Sequence, residues 1–206
     1  MNLEIKNIGL VSDVDVYGSD CTFYQVAGVC TGHGFFRQPD TFKRLDQFIY
    51  SLLKNKHLRC FEFAGIIFGI RCPIFVERQL RTYRKPDLER SLRICEPLEL
   101  SKADYEYGMS TDDYIRSKEK TLGTYQNLVR QGVKREEARR VLPLDTMTEI
   151  ISLYSIRSLL HVFDERLAKS AQSETTEVVR RMYEITKEFF PETIKAYERA
   201  KEESRK

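Results

Sequence analysis

Residues 65–94 read GIIFGIRCPIFVERQLRTYRKPDLERSLRI. The first half is apolar and β-branched, which predicts a buried strand. Pro73 ends it, and proline is well tolerated at the start of a helix. Basic residues follow: Arg78, Arg81, Arg84, Lys85, Arg90 and Arg93. A buried strand that delivers several guanidiniums to one place outlines an anion site, because arginine forks match phosphate and carboxylate oxygens two at a time. A solvated face with ordinary surface charge is the alternative reading.

Working outward, residues 2–17 alternate loosely, with Leu3, Ile5, Val14 and Val16 on inward positions, and predict strand, turn, strand. Ser19 and Asp20 are placed to cap a short helix. Gly32, His33 and Gly34 mark a loop. Pro39 and Asp40 open a helix carrying Phe42, Leu45, Phe48, Ile49, Leu52 and Leu53 at helical spacing. Beyond the central stretch, residues 96–110 are irregular and tyrosine-rich, either a loop over a site or a connector. Ser110 or Thr111 then caps a long polar helix that ends at Gly132. A short basic helix, KREEARRV, stops at Leu142 and Pro143. Residues 145–172 read as a helix with Met147, Ile150, Ile151, Tyr154, Leu159, Val162 and Phe163 on one broad face. Arg157 and His161, four apart, share another face. A final helix is expected over 175–200, with Val178, Val179, Met182, Ile185, Phe189 and Ile194 as its stripe. One α+β domain over residues 1–206, with a mixed or antiparallel sheet packed against long helices, accounts for this pattern.

The composition narrows the function. Apolar residues make up 41% of the chain, and 34 basic against 31 acidic residues leave a net charge of only +3. That balance excludes nucleic-acid binding through bulk charge, so any anion site is a local cluster. The N-terminus lacks the pattern of a signal peptide, and no apolar run approaches a membrane span of about 20 residues. A cytoplasmic protein is the expectation. Cys21, Cys30, Cys60, Cys72 and Cys95 are odd in number and form no C-x-x-C pair. With His33, His57 and His161 as the only histidines, neither a disulfide framework nor a metal centre is expected.

Three arginine groups need a purpose: Arg78–Arg93, Arg139 with Arg140, and Arg157 with Arg166. A nucleotide phosphate would pair them, and so would Asp164, Glu165 or Glu89. No G-x-S-x-G, Walker loop, G-x-G-x-x-G or H-E-x-x-H is present. His57 near Cys60 is a Cys–His pair in outline only, since lone residues of these types are more often structural. Anion-binding groups without an evident base or nucleophile favour chemistry carried by a cofactor.

The run RCPIFVERQ (71–79), its arginine-rich sequel and ERSLR (89–93) resemble the flavin-dependent thymidylate synthase family, which carries P-I-F-V-x-R-Q, then R-H-R-x-x-S and N-E-x-S-x-R-Y. GLVSDVDVYGSD (9–20), KNKHLRCFEF (54–63), QGVKREEARRVLPL (131–144) and RSLLHVFDERLAKSAQSE (157–174) have family counterparts in the same order. The resemblance implies reductive C5 methylation of deoxyuridylate (dUMP). Methylenetetrahydrofolate would donate the carbon, reduced FAD the hydride, and NADPH would reload the flavin. It also implies an α+β fold and a homotetramer whose sites are shared between subunits.

Carried over by position, the resemblance assigns Gln79, Glu89, Ser91, Arg93, Arg139 and Arg166 to deoxyuridylate. Arg166 would lie by the pyrimidine, where it favours the charge that develops during hydride attack. Ser91 would be a contact to phosphate or pyrimidine rather than a nucleophile. Arg166 and Ser91 are the catalytic candidates. The flavin residues implied are His57, Glu62, Thr82, Tyr83, Arg84, Ser155, Arg157 and His161. This side departs from the family: R-H-R reads Thr82, Tyr83, Arg84; the next segment is one residue shorter and contains Pro86; two asparagines are Ser155 and His161; a histidine is Phe63. Each lost flavin hydrogen bond is worth on the order of 1 kcal/mol net. Three activities fit: a thymidylate synthase, a related enzyme modifying another pyrimidine nucleotide or adding a hydroxymethyl group, and a silent nucleotide-binding paralogue.

Overall fold

The strand expected after residue 64 forms as β3 (Gly65–Pro73) and lies in the middle of a five-stranded sheet. The computed structural model describes residues 2–5, 9–30, 32, 44–99 and 112–204, with backbone alone for 2–5 and Cys30. The other strands are β1 (Asn2–Ile5), β2 (Gly9–Tyr17), β4 (Asp87–Glu89) and β5 (Met147–Ser155). The order is β1-β2-β3-β5-β4, and every neighbouring pair is antiparallel. Ile66, Phe68, Ile70 and Cys72 of β3 are buried, while Ile67, Gly69 and Arg71 between them are partly exposed. This is the period-two burial of a sheet covered on one face.

Among the described residues, eight α-helices accompany the sheet: α1 (Asp20–Cys30), α2 (Leu45–Lys54), α3 (Ile74–Leu80), α4 (Asp112–Arg130), α5 (Arg135–Ala138), α6 (Ile156–Arg166), α7 (Ser173–Phe189) and α8 (Pro191–Ser204). Helix α7 packs on β2 and β3, α3 on β3 and β5, and α2 on α8. Short 3-10 turns follow α2 at Leu58–Glu62 and α5 at Arg139–Val141. Helix α4 ends as expected at Gly132, whose φ of 85° suits glycine. The Val133 N–H bonds the Leu128 carbonyl and the Gly132 N–H bonds that of Val129, a Schellman cap. The expected start of α4 at Ser110 or Thr111, the helix opening at Pro39 and Asp40, most of the 32–34 loop and residues 100–110 of the tyrosine-rich stretch lie outside the described residues.

Four readings of the sequence are corrected. Residues 145–172 are not one helix: 147–155 is strand β5, paired along its full length with β3 from Gly65↔Ser155 to Pro73↔Met147. Met147, Ile150, Ile151 and Tyr154 mimic a helical stripe, but Thr148, Ile150, Ser152 and Tyr154 are buried while Glu149 and Ile151 are exposed. Two neighbouring strands that satisfy β5 on both edges, together with its β-branched content, outweigh the 3.6-residue spacing. The last helix is two, broken at Phe190–Pro191. Proline has no N–H to continue a helix and disfavours helical backbone before it; Phe190 sits at φ −129°, ψ 58°.

Asp20 does not cap α1. Its carboxylate accepts the backbone N–H groups of Glu192 (2.9 Å) and Thr193 (3.0 Å) and the Thr193 hydroxyl, capping α8 instead. Burial pushes the Asp20 carboxyl up, against the lowering effect of those hydrogen bonds. At α1, the Thr22 hydroxyl accepts the Ser19 N–H (2.9 Å). Val14 points outward and is 56% exposed, because the register of β2 against β3 shifts between Asp13 and Asp15.

Candidate active site

Helix α6 is the spine of the candidate site, and Ser155 starts it. The Ser155 hydroxyl accepts the Ser158 N–H (3.2 Å) as an N-cap and lies 3.1 Å from the Ser158 hydroxyl. Serine thus stands in for a family asparagine while already serving the helix. Arg157, His161 and Glu165 follow at four-residue intervals and share a face. Arg157 pairs with Glu62 at the end of the 3-10 turn. His161 lies 3.4 Å from Glu165.

The last residue of the helix, Arg166, meets the segment that follows α3. Its Nε donates to the Tyr83 hydroxyl (2.8 Å), and that hydroxyl donates to Glu165 Oε2 (2.7 Å). The guanidinium carbon lies 5.5 Å from the Tyr83 ring centroid, and the Tyr83 ring meets His161 edge-on at 5.7 Å. Arg166 NH2 reaches the Gln79 carbonyl and the Thr82 hydroxyl, both at 3.4 Å. Thr82 in turn donates to the Gln79 carbonyl (2.8 Å). The Gln79 side chain is held by Gln172 and by the Thr175 hydroxyl (3.0 Å). Burial, and then the hydrogen bond to Glu165, push the Tyr83 hydroxyl up to about 12 against the opposing pull of Arg166. It therefore keeps its proton through the neutral range.

The other nucleotide candidates lie elsewhere on the chain. Arg93 pairs with Glu136 of α5 (3.0 Å), and Arg135 pairs with Glu96 (3.0 Å) and donates to the Ile94 carbonyl (2.9 Å). Arg139 follows Glu136 by one turn and is exposed, as are Ser91 and Arg93. The Ser91 carbonyl accepts the N–H groups of Ile94 and Cys95, fixing the turn that presents its side chain. Glu89 is committed within the chain to Arg81 (2.7 Å) and Thr148 (3.3 Å). Among the described residues Arg93 and Arg139 share no hydrogen-bond or ion-pair partner with Arg166. Arg84 is exposed, and His57 is exposed at the start of the 3-10 turn.

Lys85, read with the basic cluster, is withdrawn from solvent. Its side chain is 2% exposed, bonds Asp87 (2.8 Å) and stands 5.1 Å from the Tyr154 ring centroid. The partners Gln172 and Thr175 escaped the sequence reading, since they lie about 95 residues from Gln79 (|i−j| of 93 and 96) and only the polar run QSETT hints at them.

Beside α6 opens a cavity of about 700 Å³, within the roughly 300–1,000 Å³ usual for small-molecule sites. Lys56, Arg157, His161 and Lys201 line it together with Asp164. Asp164 is satisfied by Tyr197 (2.8 Å) and Lys201 (2.7 Å). The lining is cationic on balance and fits an anionic portion of a ligand. Among the described residues no group of three or more His, Cys, Asp or Glu is placed to hold a metal ion. None of their helices is long and apolar enough to cross a membrane. Cys72 is buried and burial pushes its thiol up, which makes it a core residue rather than a nucleophile.

Residues 14–192 match the thymidylate synthase complementing protein family. The chain belongs to that family. Its relatives include the flavin-dependent thymidylate synthase of Kosmotoga olearia, 30% identical over 218 residues, covering 96% of this chain and 93% of that protein. That of Thermus thermophilus is 28% identical over 216 residues, covering 96% of this chain and 78% of that protein. A crystal structure of the UMP/dUMP methylase PolB from Streptomyces cacaoi, bound with 5-Br dUMP, superposes with a TM-score of 0.82 at 26% identity, covering 95% of this chain and 97% of that one. At these identities the chain is a divergent member, and the thymidylate synthase, methyltransferase and flavin-dependent descriptions attach to it at family level.

Proposed function

We propose that this protein is a flavin-dependent methyltransferase that converts deoxyuridylate to thymidylate. The observation that carries the reading is the arrangement along α6. At its C-terminal end Arg166 is held by Tyr83, Gln79 and Thr82, with NH1 unengaged by any described residue. At its N-terminal end Arg157 and His161 line a cationic cavity. A pyrimidine at Arg166 and a flavin whose phosphates lie toward the cavity would then be neighbours, as hydride transfer requires.

The residues present fit part of FAD: Arg157, His161 and Lys56 would hold its phosphates, and His57, Glu62, Thr82, Arg84 and Ser155 would be available to its remaining polar groups. The chemistry that bound FAD would supply, once reduced by NADPH, is the hydride that, with the methylene of methylenetetrahydrofolate and loss of the C5 proton, would make the methyl group. The overall balance is deoxyuridylate, methylenetetrahydrofolate, NADPH and a proton to thymidylate, tetrahydrofolate and NADP⁺. Arg166 would hydrogen-bond the pyrimidine and neutralise the negative charge that grows on its carbonyl oxygen as C6 receives hydride. Gln79 and Ser91 would orient the nucleotide, and Arg93 and Arg139 would pair its phosphate bidentately. Those two arginines share no partner with Arg166 within one chain, and a second copy would bring them to it, as in a homotetramer with shared sites. Glu89 would act indirectly, by holding Arg81.

A second reading extends the substrate to uridylate. It is favoured by the superposition on a UMP/dUMP methylase at a TM-score of 0.82. Both are tested by reconstituting the protein with FAD, recording the visible flavin band, and analysing products from deoxyuridylate and uridylate by mass spectrometry with methylenetetrahydrofolate and NADPH. A gain of one methylene on deoxyuridylate is expected. Colourless protein with neither product overturns the proposal, and a hydroxymethyl product changes the reaction assigned.

A further inference from the structure

The family resemblance places Tyr83 with the flavin, but in this chain its contacts run to Arg166. The phenol oxygen is shared: it accepts from Arg166 Nε at 2.8 Å and donates to Glu165 at 2.7 Å. The ring lies under the guanidinium, with the carbon 5.5 Å from the centroid. The ring also meets His161 edge-on at 5.7 Å, and His161 lies 3.4 Å from Glu165. The hydroxyl accepts from Arg166 while its own proton goes to Glu165, and burial keeps that proton in place. Nε is thereby occupied, the Gln79 carbonyl and the Thr82 hydroxyl engage Nη2, and Nη1 is left without a partner among the described residues. A histidine here would carry a shorter side chain and no hydroxyl, so this clamp belongs to the present sequence.

We infer that Tyr83 is a positioning residue for the nucleotide side of the site: it fixes the Arg166 guanidinium before the pyrimidine arrives, rather than contacting flavin. The inference rests on the proposed role of Arg166. A free arginine side chain samples many rotamers, and holding it in the binding geometry removes that ordering cost from association. Phenylalanine at 83 would keep the ring beneath the cation and lose only the relay through oxygen.

The test is calorimetric titration of the FAD-reconstituted full chain with deoxyuridylate, in the wild type, Tyr83→Phe, Arg166→Gln and the double variant. Tyr83→Phe is expected to weaken nucleotide affinity about tenfold, the size of losing one hydrogen bond to a charged group. Binding stoichiometry and visible flavin absorbance should stay as in the wild type. In the Arg166→Gln background the same change should cost nothing further. If Tyr83→Phe misfolds, Glu165→Ala reads the relay from its other end and should weaken nucleotide binding severalfold with flavin retained. Wild-type nucleotide affinity in Tyr83→Phe, or loss of flavin with nucleotide affinity unchanged, overturns the inference while leaving the proposed function standing. Wild-type affinity in Arg166→Gln overturns both.

Discussion

The two arginine regions of this chain are built differently. Arg166 is partly buried and held by three residues of one neighbouring segment. Arg93 and Arg139 are exposed, on a turn after β4 and at the end of a single-turn helix, and among the described residues they have one surface ion pair, Arg93 with Glu136. A guanidinium already fixed by its neighbours presents a defined donor pattern, whereas an exposed one remains hydrated and contributes little until another molecule excludes water. On the proposed function the contrast would divide the labour, giving discrimination of the base to the fixed arginine and capture of the phosphate to the exposed pair, completed by a second chain.

The sharpest way to break this division is to mix variants. Arg166→Gln and Arg139→Gln should each lower turnover with deoxyuridylate, the first by on the order of a hundredfold or more because it removes charge stabilisation at the reacting ring. If the two arginines serve one site from different copies, co-refolding the two inactive proteins should produce hybrid sites carrying both arginines, and activity that neither parent has. A mixture no more active than its parents would place both arginines in one chain's site. Stability measurements sharpen the comparison further. Asp20→Ala should lower the free energy of unfolding by about 1–2 kcal/mol, since a helix cap is lost and two backbone donors go unpaired, as read from the denaturant midpoint. Nucleotide affinity should not change, because the residue lies in neither arginine region. The smallest effect is expected at Ser155: alanine should cost about 1 kcal/mol of stability, whereas asparagine, an equally good cap, should cost almost nothing. A full loss with asparagine would show that the Ser158 hydroxyl contact, not the cap, holds the start of α6.

Much of this was readable in advance where the physics is local. The central strand announced itself through an apolar, β-branched run closed by Pro73, and the end of α4 through Gly132. The candidate residues of α6 followed from motif order. Strand β5 did not, because its even-numbered residues between 148 and 154 and a helical stripe share Ile150 and Tyr154; only pairing with β3 and β4, which lies outside any local window, separates the two readings. The role of Asp20 is hidden for the same reason: serine and aspartate before a helix form a good local cap, and nothing nearby signals donors more than 170 positions away. Tyr83 looked like a degraded flavin motif because its partners, Glu165 and Arg166, are more than 80 residues along. Glu62 likewise gave no sign that it would meet Arg157.

The clasp between Asp20 and the start of α8 has a consequence for how the polypeptide reaches its native form. During synthesis the first helix emerges early, yet the amides that neutralise its buried carboxylate are made more than 170 residues later. Until then the aspartate stays in water or takes up a proton, and α1 cannot settle fully onto the core. Completion of this fold therefore waits for Glu192 and Thr193 to leave the ribosome, and a chain cut short of them would leave the opening helix unlatched.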